Sequence, residues 1–199
     1  MPPRYTAQDV VINALALLDE QGWEGVTLRG VARRMGAHLN SVSFQVKTKS
    51  RLLELMADDI MGELSFEALP DDGLDRVREI YRRYRAVLLR HRDAARLMVS
   101  TRVFEANTLS VADAVIAALR SAGVGDSAAV HAGWCMHYLV VGLVQEEQLS
   151  SAVWSVPPQT SVLDGFPALA GAAASFRADS FDDRMEFGLT AILTAAHTS

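Results

Sequence analysis

The sequence predicts an all-α protein of about nine or ten helices, and three observations support this prediction. Apolar residues recur at helical spacing through almost every segment. Ser, Thr or Asp residues able to cap a helix precede several of these segments, and glycines follow some of them. No run alternates between apolar and polar residues as a half-buried strand would, and no internal repeat is present. At 199 residues the chain can bury a substantial core, in one domain or two small ones.

The first two helices have clear start and stop residues. Thr6, with Asp9 three residues on, is an N-cap pattern, and the helix that it opens ends at Gly22. Thr27 caps a second, shorter helix with apolar residues at i, i+3, i+4 and i+7, which Gly36 ends.

The later helices follow the same rules. A third helix covers roughly 38–45, and Thr48 caps a fourth. The acidic turn at 69–73 then breaks the pattern. After it, helices are predicted at roughly 74–91, 93–102, 107–122, 127–148, 168–177 and 180–197, with a proline-containing loop at 150–167 and a capping box at Ser180 and Asp183.

The composition predicts a cytoplasmic protein. Half of the residues are apolar and 22% are charged, which is typical of a soluble globular chain. The N-terminus has no apolar run of the kind found in signal peptides. The most apolar stretch, 134–144, is interrupted by His137 and is too short to span a bilayer. Cys135 is the only cysteine, so we expect no disulfide and no cysteine metal cluster, and we interpret Cys135 as a small core residue.

The charge is divided unevenly along the chain. Residues 1–52 hold seven Lys or Arg against four Asp or Glu, a balance of +3. The other 147 residues hold the remaining twelve basic and twenty acidic residues, a balance of −8. A basic N-terminal segment followed by an acidic remainder suggests two separate tasks. Contact with a polyanion is one candidate task for the basic segment.

Helices two and three form a helix-turn-helix pattern. Both are short, the segment 35–37 separates them, and a longer helix precedes them to cover their apolar sides. In such a pattern the second short helix can enter the major groove of DNA. Its outward positions carry small polar residues, while Arg29, Arg33 and Lys49 lie where they could meet phosphates. A solvated basic face in a helical bundle remains the alternative at this point.

The motif GWEGVTLRGVARRMGAHLNSVSFQVKTKSRLL (22–53) carries a more specific signal. With it, residues 6–60 resemble the DNA-binding domain of the TetR (tetracycline repressor) family of transcriptional regulators. The resemblance extends to LLRHRDAARLMVSTR (88–102), GLVQEEQ (142–148) and FDDRMEFGLTAIL (181–193), which resemble the ligand-binding and dimerisation core of the tetracycline repressors.

The resemblance implies roles for individual residues of the DNA-binding domain. Arg29 would read a base, and Lys49 would contact a phosphate. Ser43 departs from the family, which usually has a tyrosine there. The predicted DNA-contacting residues are Arg29, His38, Leu39, Asn40, Ser41, Ser43, Phe44, Lys47 and Lys49. For Arg33 and Arg34 we prefer solvated helix surface, and for Trp23 a hydrophobic plug beneath the helix pair.

The resemblance also implies two domains and a homodimer. We expect a DNA-binding domain at 1–48, a connecting helix at 49–66, and a ligand-binding and dimerisation domain at 67–199. The helices near 127–148 and 180–197 would form a four-helix bundle between two subunits. A two-fold dimer reads two half-sites, so the operator, a double-stranded DNA site, should be nearly palindromic.

The resemblance weakens at the ligand. Tetracycline repressors hold a magnesium–drug chelate through a histidine, where this chain has Met98, and grip the drug where it has Ile80 and Ser65. Mg²⁺ prefers oxygen ligands to a thioether. We therefore expect an apolar or aromatic effector rather than Mg²⁺–tetracycline, and no metal or other cofactor. The predicted lining is Ser65, Ile80, Tyr84, Met98, Thr101, Arg102, His137 and Tyr138.

Each of these ligand residues has a structural alternative. Met98 and Tyr84 could be core residues, and His137 a hydrogen-bonded core histidine. Arg102 could pair with Glu105 or Asp93; an unpaired Arg102 would instead suit a carboxylate or phenolate ligand.

These features favour a ligand-responsive regulator that represses transcription and is released by an inducer, with helix six acting on helix four. A helical protein-interaction adaptor is the alternative. An enzyme is disfavoured because no paired metal-ligating histidines, nucleophile elbow or glycine-rich phosphate loop is present in the sequence. No membrane association is expected.

Overall fold

A computed structural model describes residues 5–101, 104–153 and 165–198, and it confirms the all-α class. The ten α-helices of these residues are α1 (Ala7–Gln21), α2 (Leu28–Arg34), α3 (Leu39–Val46), α4 (Lys49–Gly62), α5 (Gly73–Leu89), α6 (Ala94–Val99), α7 (Ala106–Ser121), α8 (Asp126–Val153), α9 (Pro167–Ala178) and α10 (Phe181–His197). A short 3₁₀ turn, Trp23–Gly25, lies between α1 and α2.

The predicted helix ends are close to the observed ones, with three differences. The connecting helix α4 ends at Gly62 rather than at 66, and α6 ends at Val99 rather than at 102. Helix α8 continues to Val153, past its predicted end at 148. Most of the predicted 150–167 loop falls in 154–164, outside the described residues.

The first three helices form a compact unit on their own apolar faces. Val42 and Val46 are the buried residues of α3, and Val10 and Leu18 of α1 are fully buried within the same core. Thr6 accepts a hydrogen bond from the Asp9 amide, which confirms the predicted cap of α1.

The turn between α2 and α3 depends on Gly36. The Gly36 amide donates to the Arg33 carbonyl and the Ala37 amide to the Ala32 carbonyl, which is the Schellman pattern of a helix C-terminus. This pattern places Gly36 at φ +60°, a conformation that costs an L side chain free energy. The turn therefore fixes the angle at which α3 leaves α2.

Helix α8 is the central helix of the larger domain. It packs against α5, α6, α7 and α10, with Met136, Val140 and Val144 fully buried. By length and composition alone, its Asp126–Leu149 part could also cross a membrane. Of the apolar window that meets this test, 39% is buried within the chain. Core helices of soluble proteins have the same composition. The unburied remainder leaves an apolar face of α8 available to a partner.

Candidate DNA-binding surface and ligand pocket

Helix α3 presents one polar face to solvent. His38, Asn40 and Ser41 are exposed, and Phe44 is 75% exposed, because Val42 and Val46 occupy the opposite, buried face. Leu39 and Ser43 are half-buried at the edge of this face. The structure thus brings the predicted α3 residues together on one side of the domain. Gln45 does not join them, since its side-chain amide donates to the Tyr5 carbonyl at 2.7 Å.

The cations without an ion pair are concentrated on the same domain. Most described Lys and Arg side chains pair with a carboxylate; Arg34, interpreted as solvated surface, pairs with Glu20 at 2.6 Å. Among the described side chains five do not, namely Arg29, Arg33, Lys47, Lys49 and Arg76. Four of these five flank α3, and all four are exposed. Unpaired, exposed cations on either side of a polar helix are suited to phosphate contact.

Trp23 packs partly buried against the core, as its interpretation as a hydrophobic plug predicts, and it also contacts two cations. Its ring is half-buried and carries two cations, with Lys49 Nζ 5.6 Å and Arg96 Cζ 4.8 Å from the ring centre. Cation–π contacts of this kind hold the two side chains near the tryptophan face. Trp23 therefore lies between the start of α4 and the start of α6.

A cluster of aromatic rings lies between α5 and α8. The Tyr84 hydroxyl and His137 Nδ1 are 3.3 Å apart, and their rings stack with centres 5.9 Å apart. Trp134 and Tyr138 stack on each other beside His137, and Tyr81 meets the edge of Tyr84. The cluster runs from the buried Tyr81 and Tyr84 to the exposed Trp134 and Tyr138.

Burial sets the protonation of this cluster. Desolvation raises the pKa of the Tyr84 hydroxyl well above its ordinary value and lowers the pKa of the His137 imidazole. Both groups are therefore neutral at pH 7. A neutral phenol–imidazole pair among apolar side chains can hydrogen-bond a carbonyl or hydroxyl group of an aromatic molecule.

The other predicted ligand residues differ in their burial and position. Ile80 and Met98 are buried, and Thr101 follows α6, where its hydroxyl donates to the Leu97 carbonyl. Ser65 is exposed in the α4–α5 turn, where its hydroxyl accepts from the Glu67 amide. Arg102 lies outside the described residues.

One residue of α8 differs from its sequence interpretation. Cys135 is exposed, so its prediction as a core residue was wrong. Apolar residues surround nearly the whole of α8, so the sequence does not show which face of this helix is buried.

Glu146, also on α8, accepts a hydrogen bond from Arg184 at 2.9 Å. No group of three or more His, Cys, Asp or Glu side chains within the described ranges could hold a metal ion.

A charged groove between α5 and α10 is separate from the aromatic cluster. Its volume is about 440 Å³, and it is lined by Arg82, Arg85, Asp182, Met185 and Glu186. Its arginines and carboxylates pair with one another, Arg82 with Glu186 at 2.8 Å. These lining charges therefore neutralise each other within the groove.

A helix-turn-helix unit carried by α4 on a larger helical domain defines a class of transcription factors. Residues 68–196 match the family model of the tetracycline repressor-like C-terminal domain. The chain is 31% identical to an HTH-type transcriptional regulator of Saccharopolyspora erythraea, over 93% of this chain and 80% of that protein. It is 30% identical to the class G tetracycline repressor of Vibrio anguillarum, over 92% and 90% of the two chains. The fold matches that of ActR from Streptomyces coelicolor in complex with actinorhodin, with a TM-score of 0.83 and 25% identity over 98% and 96% of the chains.

The chain belongs to the TetR family of transcriptional regulators. Members of the family are regulators of transcription and not enzymes, and this excludes the enzymatic alternative. The family includes ligand-binding regulators, and this supports ligand-responsive regulation of transcription as the general function of the chain.

Proposed function

We propose that this protein is a repressor that binds a near-palindromic operator as a homodimer and is released by a small, apolar or aromatic inducer. The observation that carries the DNA-binding part is the position of Arg29, Arg33, Lys47 and Lys49, which flank the exposed face of α3 and form no ion pair with any described side chain. Arg29 would contact a base edge, and the lysines would contact phosphates.

The division of the chain supports separate tasks for its two parts. We assign DNA binding to residues 1–48, the connection to α4, and effector binding and dimerisation to residues from 67 onward. Met98, Ile80, Tyr84 and His137 would line the effector site, with Tyr138 at its rim.

The ligand would be an aromatic molecule with at least one hydrogen-bonding oxygen. The buried Ile80 and Met98 supply apolar surface, and the neutral Tyr84–His137 pair supplies a donor and an acceptor. Neither Met98 nor Ile80 offers an oxygen to Mg²⁺, so we expect no binding of Mg²⁺–tetracycline. A thermal-shift assay in which Mg²⁺–tetracycline strongly stabilises the protein would contradict this assignment.

The apolar surfaces that remain exposed support the dimer. Val130, Trp134 and Tyr138 on α8 and Phe187 on α10 are between 47% and 79% exposed in one chain. Helix α9 also exposes Phe166, Leu169 and Phe176 at its start and along its length. Pairing of α8 and α10 with the same two helices of a second copy would cover the exposed apolar residues of α8 and α10.

The deciding experiment is selection of bound sequences from random double-stranded DNA by the purified protein. We expect a near-palindromic site whose affinity falls steeply as salt is added. Repeating the binding assay with candidate aromatic ligands would identify the inducer by loss of operator affinity. A folded sample that binds no double-stranded DNA at low ionic strength would overturn the proposal.

A further inference from the structure

The start of α6 is attached directly to the DNA-binding unit. The Asp93 carboxylate accepts a hydrogen bond from the Trp23 amide at 2.8 Å, and Arg96 lies over the Trp23 ring. Arg96 also pairs with Glu24 at 3.3 Å. We refer to these four residues, Trp23, Glu24, Asp93 and Arg96, as the joint.

The backbone around the joint is specialised for this close contact. Gly22 has φ +73°, and a Cβ added there would lie 2.9 Å from the Asp93 carboxylate. Asp93 itself has φ +57°, which is uncommon for a residue other than glycine. Beside the joint, the Asp19 carboxylate at the end of α1 accepts from the Arg92 amide at 3.0 Å. The contact is therefore built from backbone and side-chain hydrogen bonds on both sides.

The joint is also connected to the base-reading residue. The 3₁₀ turn that contains Trp23 runs into Val26, which is fully buried, and then into Thr27, which caps α2 through the Gly30 amide. A Cβ at Gly30 would lie 3.0 Å from the Gly25 carbonyl, so α2 packs tightly on this turn. Arg29 is the second residue of α2. A shift of α6 would thus reach the helix that carries Arg29 through this turn, in addition to the contact that α6 makes with α4.

We propose that the joint fixes the orientation of the DNA-binding unit on the larger domain, and that Arg96 is a specificity-determining residue for the spacing between operator half-sites. This inference rests on the proposed function. In a dimer, the separation of the two α3 helices depends on how rigidly each unit is held, and a rigid separation matches only one half-site spacing. Arg96 is held by Glu24 and the Trp23 ring, so the effect that we assign to it is one of positioning.

The test compares operators of different spacing. After an operator has been selected, probes with one base pair inserted or removed at its centre are compared with the original. We expect the wild-type protein to prefer the original spacing and Arg96→Ala to reduce this preference by at least about fivefold, a typical size for coupling between sites. Arg96→Lys, which retains a cation near Trp23, should keep more of the preference than Arg96→Ala.

Arg120→Ala is the matched control. Arg120 is also an exposed arginine in a surface ion pair, with Asp126 at 3.1 Å, but it lies at the end of α7. We expect this variant to keep the wild-type preference. The inference is overturned if Arg96→Ala keeps the wild-type ratio of affinities for the original and the altered spacing. It is also overturned if Arg120→Ala lowers this ratio as much as Arg96→Ala does. If the wild-type protein binds no DNA, the proposed function itself fails, which is a distinct outcome.

Discussion

At the scale of single residues, the DNA-binding surface contains two kinds of cation that can be told apart by experiment. Arg29 is the second residue of α2, whereas Lys47 follows the end of α3. Both are exposed and form no ion pair with the described residues. Their chemistry predicts that an arginine can hold a guanine edge with two hydrogen bonds, while a lysine acts as a point charge.

We expect Arg29→Ala to cost about 1–3 kcal/mol of binding free energy on the selected operator and to relax the base preference at one position. The measurement is the Kd on the operator and on single-base variants of it. An equal loss on every sequence would show that Arg29 contacts only phosphate.

Lys47→Ala should behave differently from Arg29→Ala. We expect it to weaken binding to all sequences alike and to reduce the dependence of log Kd on log salt by about one unit. Titrations of operator DNA at several salt concentrations measure this slope. An unchanged slope would remove Lys47 from the set of phosphate contacts.

His137 makes the stability of the protein depend on pH. Burial lowers the pKa of its imidazole in the folded chain, so the unfolded chain takes up a proton at a higher pH than the folded chain does. The stability contributed by keeping this histidine neutral is therefore complete above the ordinary pKa of about 6.5 and is lost as the pH falls below it. We expect His137→Gln to show a smaller drop in unfolding free energy than the wild type between about pH 7.5 and about pH 5.5. Identical pH profiles would contradict this origin.

At the scale of elements, the turn between α2 and α3 depends on the left-handed backbone conformation of Gly36. A Cβ at Gly36 would meet no atom within 4 Å, so a substitution there costs only the left-handed backbone conformation. We expect Gly36→Ala to lower the free energy of unfolding by about 1–2 kcal/mol, and Gly36→Asn to lower it less because asparagine tolerates this conformation. Urea unfolding of the three proteins measures the difference. An alanine variant as stable as the wild type would contradict the role of the turn.

Sequence patterns located most elements because their start and stop signals are local. Thr6, Thr27, Thr48 and Ser180 all cap the helices that they were predicted to cap. The end of α8 and the exposure of Cys135 could not be predicted, since apolar residues surround this helix and its buried face depends on which helices pack against it.

At the scale of the whole molecule, the proposed dimer depends on apolar surface left exposed by one chain. We expect Phe187→Asp, at a position 79% exposed on α10, to produce a monomer with much weaker operator binding. Sedimentation equilibrium measures the oligomeric state. Ile12→Asp is the control, because Ile12 is 53% exposed but lies on α1 in the DNA-binding unit. A Phe187→Asp protein that remains dimeric would place the interface elsewhere.

The sequence by itself determined the helices, the helix-turn-helix and the row of residues that α3 presents, because capping and helical spacing act over a few neighbouring residues. Only the tertiary structure decided which of the described cations remain unpaired, that Ser65 is exposed in the α4–α5 turn, and that Tyr84 meets His137. It alone revealed the joint, whose residues Trp23 and Asp93 are 70 positions apart. Contacts over such a separation depend on how whole helices pack, and no local pattern of residue types records that packing.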